Sequence, residues 1–131
     1  MLLVMVPALA VRDNASEALE QHRPSAELLA RAFLAAYSAP TTRAAYARDL
    51  EAWFGFCGEH RLDPLDARRA VVDAYARTLD EQGLAPATIA RRLASLSSFY
   101  RYAVGEGLLT ASPVEHVRRP RVADESPTLG L

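Results

Sequence analysis

The chain has no lysine. All fifteen of its basic residues are arginine, which excludes a P-loop lysine or a Schiff-base lysine from its own chemistry. An arginine-only composition reads first as coding bias of a GC-rich genome, and second as selection for planar, bidentate contacts to phosphate or base edges. Cysteine occurs once, at Cys57, so no intramolecular disulfide can form. With only three scattered histidines no metal-ligand spacing arises either, and neither metal nor cofactor is expected. A reducing cytoplasm fits this usage. The opening MLLVMVPALA is too short to span a bilayer and has no basic residue before it; it reads as an N-terminal extension rather than a signal peptide, and no membrane association is expected. No stretch alternates with period two, so no sheet is expected, and no internal repeat or low-complexity tract is visible.

What remains is an ordinary globular balance, half hydrophobic and 24% charged over 131 residues. That length suits one domain with one core. The net charge is −1, yet its distribution is uneven. Residues 84–121 hold six arginines against two glutamates, whereas residues 1–83 hold nine arginines against twelve acids. Positive charge therefore gathers in the last third of the globular part.

Helical spacing predicts four main helices. Ser25 caps a first helix through Leu29, Phe33 and Ala36 to about Tyr37. A second starts at Thr41 or Thr42, either serving as cap, buries Tyr46, Leu50, Trp53 and Cys57, and ends near Glu59. Asp66 caps a third, whose inner face is Val72, Tyr75 and Leu79, stopped at Gly83. The fourth has Pro86 at its first position, buries Ile89, Leu93, Leu96, Tyr100 and Ala103, and ends at Gly105 and Gly107. Ser112-Pro113-Val114-Glu115 reads as the capping box of a short fifth helix, halted by Pro120. The fold class is all-α: a compact bundle of four main helices plus a short fifth.

Opposite its apolar stripe the fourth helix carries Thr88, Arg91, Arg92 and Ser95, at i, i+3, i+4 and i+7. Arginines flanked by hydroxyls near a helix N-terminus suit phosphate, because that end adds free amides and partial positive charge. The same residues also suit a merely solvated face. Around the start of the second helix lie Thr41, Thr42, Arg43 and Arg48, and the two starts together would form one basic surface for a DNA backbone. The aromatics Trp53, Phe54, Phe56, Phe99, Tyr100 and Tyr102 sit on or beside the apolar stripes and read as core rather than as base-stacking platforms.

The strings TTRAAYARDLEAWFGFC, LDEQGLAPATIARRLASLSSFYRYAVGEGLL and SPVEHVRRPR, in that order, resemble the core-binding, SAM-like domain of tyrosine recombinases, the phage-integrase family. The family pattern is a T-x-x-x-Y-x-x-D-L helix, a connecting helix ending in G-L, an S-P-x-T-I-x-R-x-L-S-x-L helix with an aromatic cluster, and an N-P-x-x-x-V-x-x-P exit. The likeness spans about residues 25–121, with residues 1–24 as an extension and 122–131 as the start of an interdomain linker or tail.

The resemblance implies one half of a clamp on double-stranded DNA, acting in recombination or integration, in a bacterial or phage-derived protein of the cytoplasm, associated with the nucleoid. It points Thr41, Thr42, Arg43 and Arg48, and then Ala87, Thr88, Arg91, Arg92 and Ser95, toward DNA. It also implies contacts between protomers, on DNA or with a full-length recombinase, through Leu28, Phe33, Val114 and Val117. Two positions depart from the pattern: Ala85 replaces the serine cap of the fourth helix, and Ala87 stands where a basic residue often meets phosphate. Catalysis in this family needs a separate domain with an arginine, a lysine, an H-x-x-R pair and a tyrosine nucleophile. His116-Val117-Arg118-Arg119 spells H-x-x-R, but no tyrosine follows it and no lysine completes the set. The chain is therefore expected to bind DNA without cutting it, weakly and salt-sensitively, at ~10⁻⁴ to 10⁻⁶ M. Replacing Arg91 and Arg92 together by Ala is expected to abolish most binding with helicity intact. The alternatives are a stand-alone helical interaction module, a non-catalytic remnant or competitor of a full recombinase, and a helix-turn-helix regulator, against which the length of the fourth helix speaks.

Overall fold

The computed structural model describes residues 23–115. Four α-helices follow in order: α1 (Ala26–Ala35), α2 (Pro40–Glu59), α3 (Arg69–Glu81) and α4 (Pro86–Gly105), with a single 3₁₀ turn, Pro64–Asp66, between α2 and α3. No strand occurs among the described residues. The all-α bundle expected from the spacing is the one found. Of the short fifth helix only a turn through Pro113–Glu115 is described, with the Ser112 hydroxyl accepting from the Val114 amide at 3.1 Å; the rest of that expectation, Val117 and the H-x-x-R string included, lies outside the described residues.

The helix ends show which local signals governed. Ser25 caps α1 as expected, its hydroxyl accepting from the Leu28 amide at 3.1 Å. The expected threonine cap of α2 is not used: the helix begins at Pro40, with Ala39 as an extended N-cap that makes no side-chain bond. Proline at the first helical position is favourable because the missing N–H had no partner there, and it moves the start ahead of Thr41 and Thr42. Asp66 does not cap α3 either. It closes the 3₁₀ turn that Asp63 caps, and α3 starts after Arg68 without a side-chain cap.

At the other ends, Gly83 and Gly107 take positive φ and close Schellman-type turns, with Leu84 N–H donating to the Leu79 carbonyl and Leu108 N–H to the Ala103 carbonyl. The end of α2 uses the same geometry without glycine: Arg61 has φ 57°, and Leu62 N–H donates to the Cys57 carbonyl at 2.9 Å.

Helix α4 packs against α1, α2 and α3 and forms the centre of the bundle. Its inner residues Ile89, Leu93, Leu96, Phe99, Tyr100 and Ala103 are buried, as are Leu50, Trp53 and Cys57 of α2 and Val72, Tyr75 and Leu79 of α3. Phe33 of α1 meets Tyr37, Tyr46, Phe99 and Tyr102 with ring centroids 5.3 to 5.8 Å apart, the range of attractive aromatic pairs. Trp53 and Tyr100 lock α2 to α4. The indole N–H donates to the Tyr100 hydroxyl at 2.8 Å, and that hydroxyl donates to the Pro64 carbonyl at 2.7 Å. Both polar atoms are thereby satisfied inside the core, where an unpaired one would be costly.

Candidate nucleic-acid interface

Contacts between α2 and α4 pair Asp49 with Arg91 and Ser95, Trp53 with Tyr100 and Phe54 with Phe99. Arg92 near the start of α4 also shares a groove with Gly55 and Glu59 near the end of α2, and Phe33 joins Tyr46 of α2 to Phe99 and Tyr102 of α4, so the two helices cross, with Asp49 of mid-α2 against the first half of α4. Both begin at proline behind an extended alanine that makes no side-chain cap. The first-turn amides of each helix are therefore left without a side-chain partner from the cap, and the positive end of each dipole is not masked by an acid in the first turn.

The expected residues divide into three groups. Thr41, Thr42, Arg48 and Ala87 are exposed, and Thr88 is half-buried at the start of α4. Arg43 is half-buried and folds back, one Nη donating to the Ser38 carbonyl at 3.2 Å while its Nε is buried without a partner. The remaining three, expected in one solvent-facing row, are separated by the structure.

Arg91 donates through Nη1 to Asp49 Oδ2 at 2.5 Å, and the Ser95 hydroxyl donates to the same oxygen at 2.6 Å. Ser95 is only 4% exposed, which corrects the reading that placed it on the solvent face. The reason is the central position of α4: with a helix on three sides its inward surface is broader than a single stripe, and Ser95 falls within it. Arg92 turns the other way, into a groove of about 220 Å³ between α2, α3 and α4, lined also by Gly55, Glu59, Tyr75 and Gln82. Its Nε and the Tyr75 hydroxyl are both buried without a well-formed hydrogen bond. Burial pushes the Tyr75 hydroxyl pKa up, and the neighbouring Arg92 guanidinium opposes that shift.

Asp49 was not among the expected site residues, although it is 2% exposed and organises two of them. Its signal was present: a carboxylate one residue before Leu50 and three after Tyr46, in the middle of an apolar stripe. A buried carboxylate at such a position requires a partner, and Arg91 is that partner.

The expected protomer interface is likewise revised. Phe33 is 3% exposed and Val114 fully buried, both built into the core, whereas Leu28 stands 51% exposed on α1. Val117 lies outside the described residues. No group of three or more metal-ligating side chains, and no helix long and apolar enough to cross a membrane, occurs among the described residues.

The model of the phage integrase N-terminal SAM-like domain matches residues 27–107. The chain belongs to this family. Among curated relatives of the SAM-like domain, tyrosine recombinase XerD of Caulobacter vibrioides is 38% identical over 90 residues, covering 69% of this chain and 30% of the relative. Tyrosine recombinase XerC of Myxococcus xanthus is 38% identical over 91 residues, with the same two shares. Tyrosine recombinase XerC of Chlorobaculum parvum is 36% identical over 95 residues, covering 67% of this chain and 28% of the relative. The chain thus spans under a third of the length of these relatives, and the matching part is the SAM-like domain. No solved structure matches.

Proposed function

We propose that this SAM-like domain binds duplex DNA as one half of a recombinase clamp, with the N-terminal halves of α2 and α4 facing the duplex and the chemistry of strand exchange belonging to a separate domain. The observation that carries the reading is the pairing of Asp49 with Arg91. It holds the first half of α4 against the middle of α2, so Arg91 stands beside the segment that bears the exposed Arg48. Amides at the uncapped helix starts and the exposed Arg48 suit phosphate, while Thr41, Thr42 and Thr88 offer hydroxyls to the backbone. Self-association on DNA, or contact with a full-length recombinase, belongs to the same reading and falls to Leu28 on α1. Cytoplasmic placement at the nucleoid belongs to the same reading.

The test is a fluorescence-anisotropy titration of the protein against a labelled duplex of about thirty base pairs at low and moderate salt. A saturable rise that weakens steeply with salt supports the reading, since counterion release dominates such contacts. No rise at low salt and high protein refutes it and returns the domain to protein contacts.

A further inference from the structure

We infer that Asp49 is a positioning residue that aims Arg91 at base edges and withholds it from the phosphate backbone. This inference rests on the DNA-binding reading above. The carboxylate is 2% exposed, yet the Arg91 side chain that it holds is 51% exposed. Only Nη1 of the guanidinium bonds to Asp49, and half of the side chain remains open to solvent. The same Asp49 oxygen also accepts from Ser95, one turn further along α4, so the acceptor is fixed by two bonds to a single helix. An ion pair that buries its carboxylate is a weak stability device, because an apolar residue of similar volume usually serves as well there. A fixed guanidinium fork, by contrast, matches the paired acceptors O6 and N7 of guanine in the major groove.

Charge separates Arg91 from Arg48. Among the described residues the exposed Arg48 forms no ion pair, so it brings a full charge to the surface. Arg91 and Asp49 together bring none. A neutral pair adds little to counterion release, and the carboxylate beneath it repels a phosphate. Arg91 therefore contributes direction, and Arg48 contributes salt-dependent affinity.

The experiment uses the whole chain and two duplexes of about thirty base pairs: one enriched by the wild type from a randomised pool, one of random sequence. Affinities for both are measured across a salt series for wild type, Asp49→Asn, Ser95→Ala and Arg48→Ala. Asp49→Asn frees the Arg91 charge while keeping the shape. It is expected to tighten binding to the random duplex, to steepen the salt slope by about 0.9, and to lower the preference for the enriched duplex about tenfold. Ser95→Ala leaves the charges in place and is expected to lower the preference less, with the slope unchanged. Arg48→Ala is expected to flatten the slope and keep the preference. The free protein supplies a second readout: Arg91 guanidinium N–H signals are resolved by hindered rotation in the wild type and averaged in Asp49→Asn, assigned by their loss in Arg91→Ala.

Equal slopes and preferences in wild type and Asp49→Asn overturn the inference while leaving DNA binding intact. So does a wild type that binds duplex but enriches no sequence. A wild type that binds no duplex at all overturns the DNA-binding reading and this inference with it. The Arg91 signals in the free protein then show separately whether the clamp on the guanidinium exists.

Discussion

The Trp53 indole N–H donates to the Tyr100 hydroxyl at 2.8 Å across the α2–α4 contact, and both residues are completely buried. Tyr100→Phe keeps the ring and removes the hydroxyl. It leaves the Trp53 N–H and the Pro64 carbonyl without this partner, so a loss of about 1–3 kcal/mol is expected from each group left unsatisfied. Urea unfolding followed by the fluorescence of Trp53, the sole tryptophan, measures it. An unchanged midpoint contradicts the lock.

Ser95→Ala is expected to cost about 1.5–3 kcal/mol, the range for a hydrogen bond to a charged group. A solvent-facing serine at the same position would change stability by less than about 0.5 kcal/mol. Thermal unfolding of the variant therefore decides between the buried and the exposed placement. The same geometry revises the expectation for the Arg91/Arg92 double substitution. Removing Arg91 strips Asp49 of its countercharge, so lost binding in that variant mixes interface and stability. Arg48→Ala is the cleaner probe, expected to flatten the salt slope by about 0.9 per phosphate contact without lowering the melting temperature.

Alkali should weaken the fold. Burial, with a smaller contribution from Asp63, pushes the Cys57 thiol up to about 12 from an ordinary 9.0, and burial raises Tyr75 and Tyr100 as well. A raised folded-state pKa means that the unfolded chain releases these protons first. The stability they contribute is complete below about pH 9 and declines as pH rises toward 12. Denaturation midpoints from pH 7 to 11 should be level at first and then fall. Over the same range Cys57 should react with a thiol reagent only at the rate of unfolding.

Arg61 takes φ 57° at the end of α2, where Gly83 and Gly107 serve the corresponding turns. Left-handed backbone costs an L-residue roughly 1 kcal/mol that glycine avoids. Arg61→Gly is expected to raise stability by up to about 1 kcal/mol, read as a higher melting temperature. Ala85→Ser, which restores a side-chain cap to α4, is expected to add about 1 kcal/mol more.

The four helices were legible because their inner residues recur at helical spacing and proline or glycine marks their ends. The errors were local. Thr41 and Thr42 resemble caps, but Pro40 initiates the helix before them; Asp66 resembles a cap, but an intervening 3₁₀ turn absorbs it. The site was less legible than the fold. A helical wheel assigns Ser95 to the outer face, since it cannot know that three helices surround α4. Nor can spacing within one helix reveal that Arg91 reaches a carboxylate forty-two positions earlier. Only packing brings those two together.

Because α4 is enclosed on three sides, sequence drift along it is confined. A change at Leu93, Leu96 or Phe99 is felt by several helices at once, whereas Ala87 and Ala94 stand exposed with nothing beyond a methyl group. Those two places can accept a longer side chain without repacking the interior. A descendant of this domain could therefore reshape the exposed side of α4 in one or two steps at Ala87 and Ala94, with its foundations unaltered.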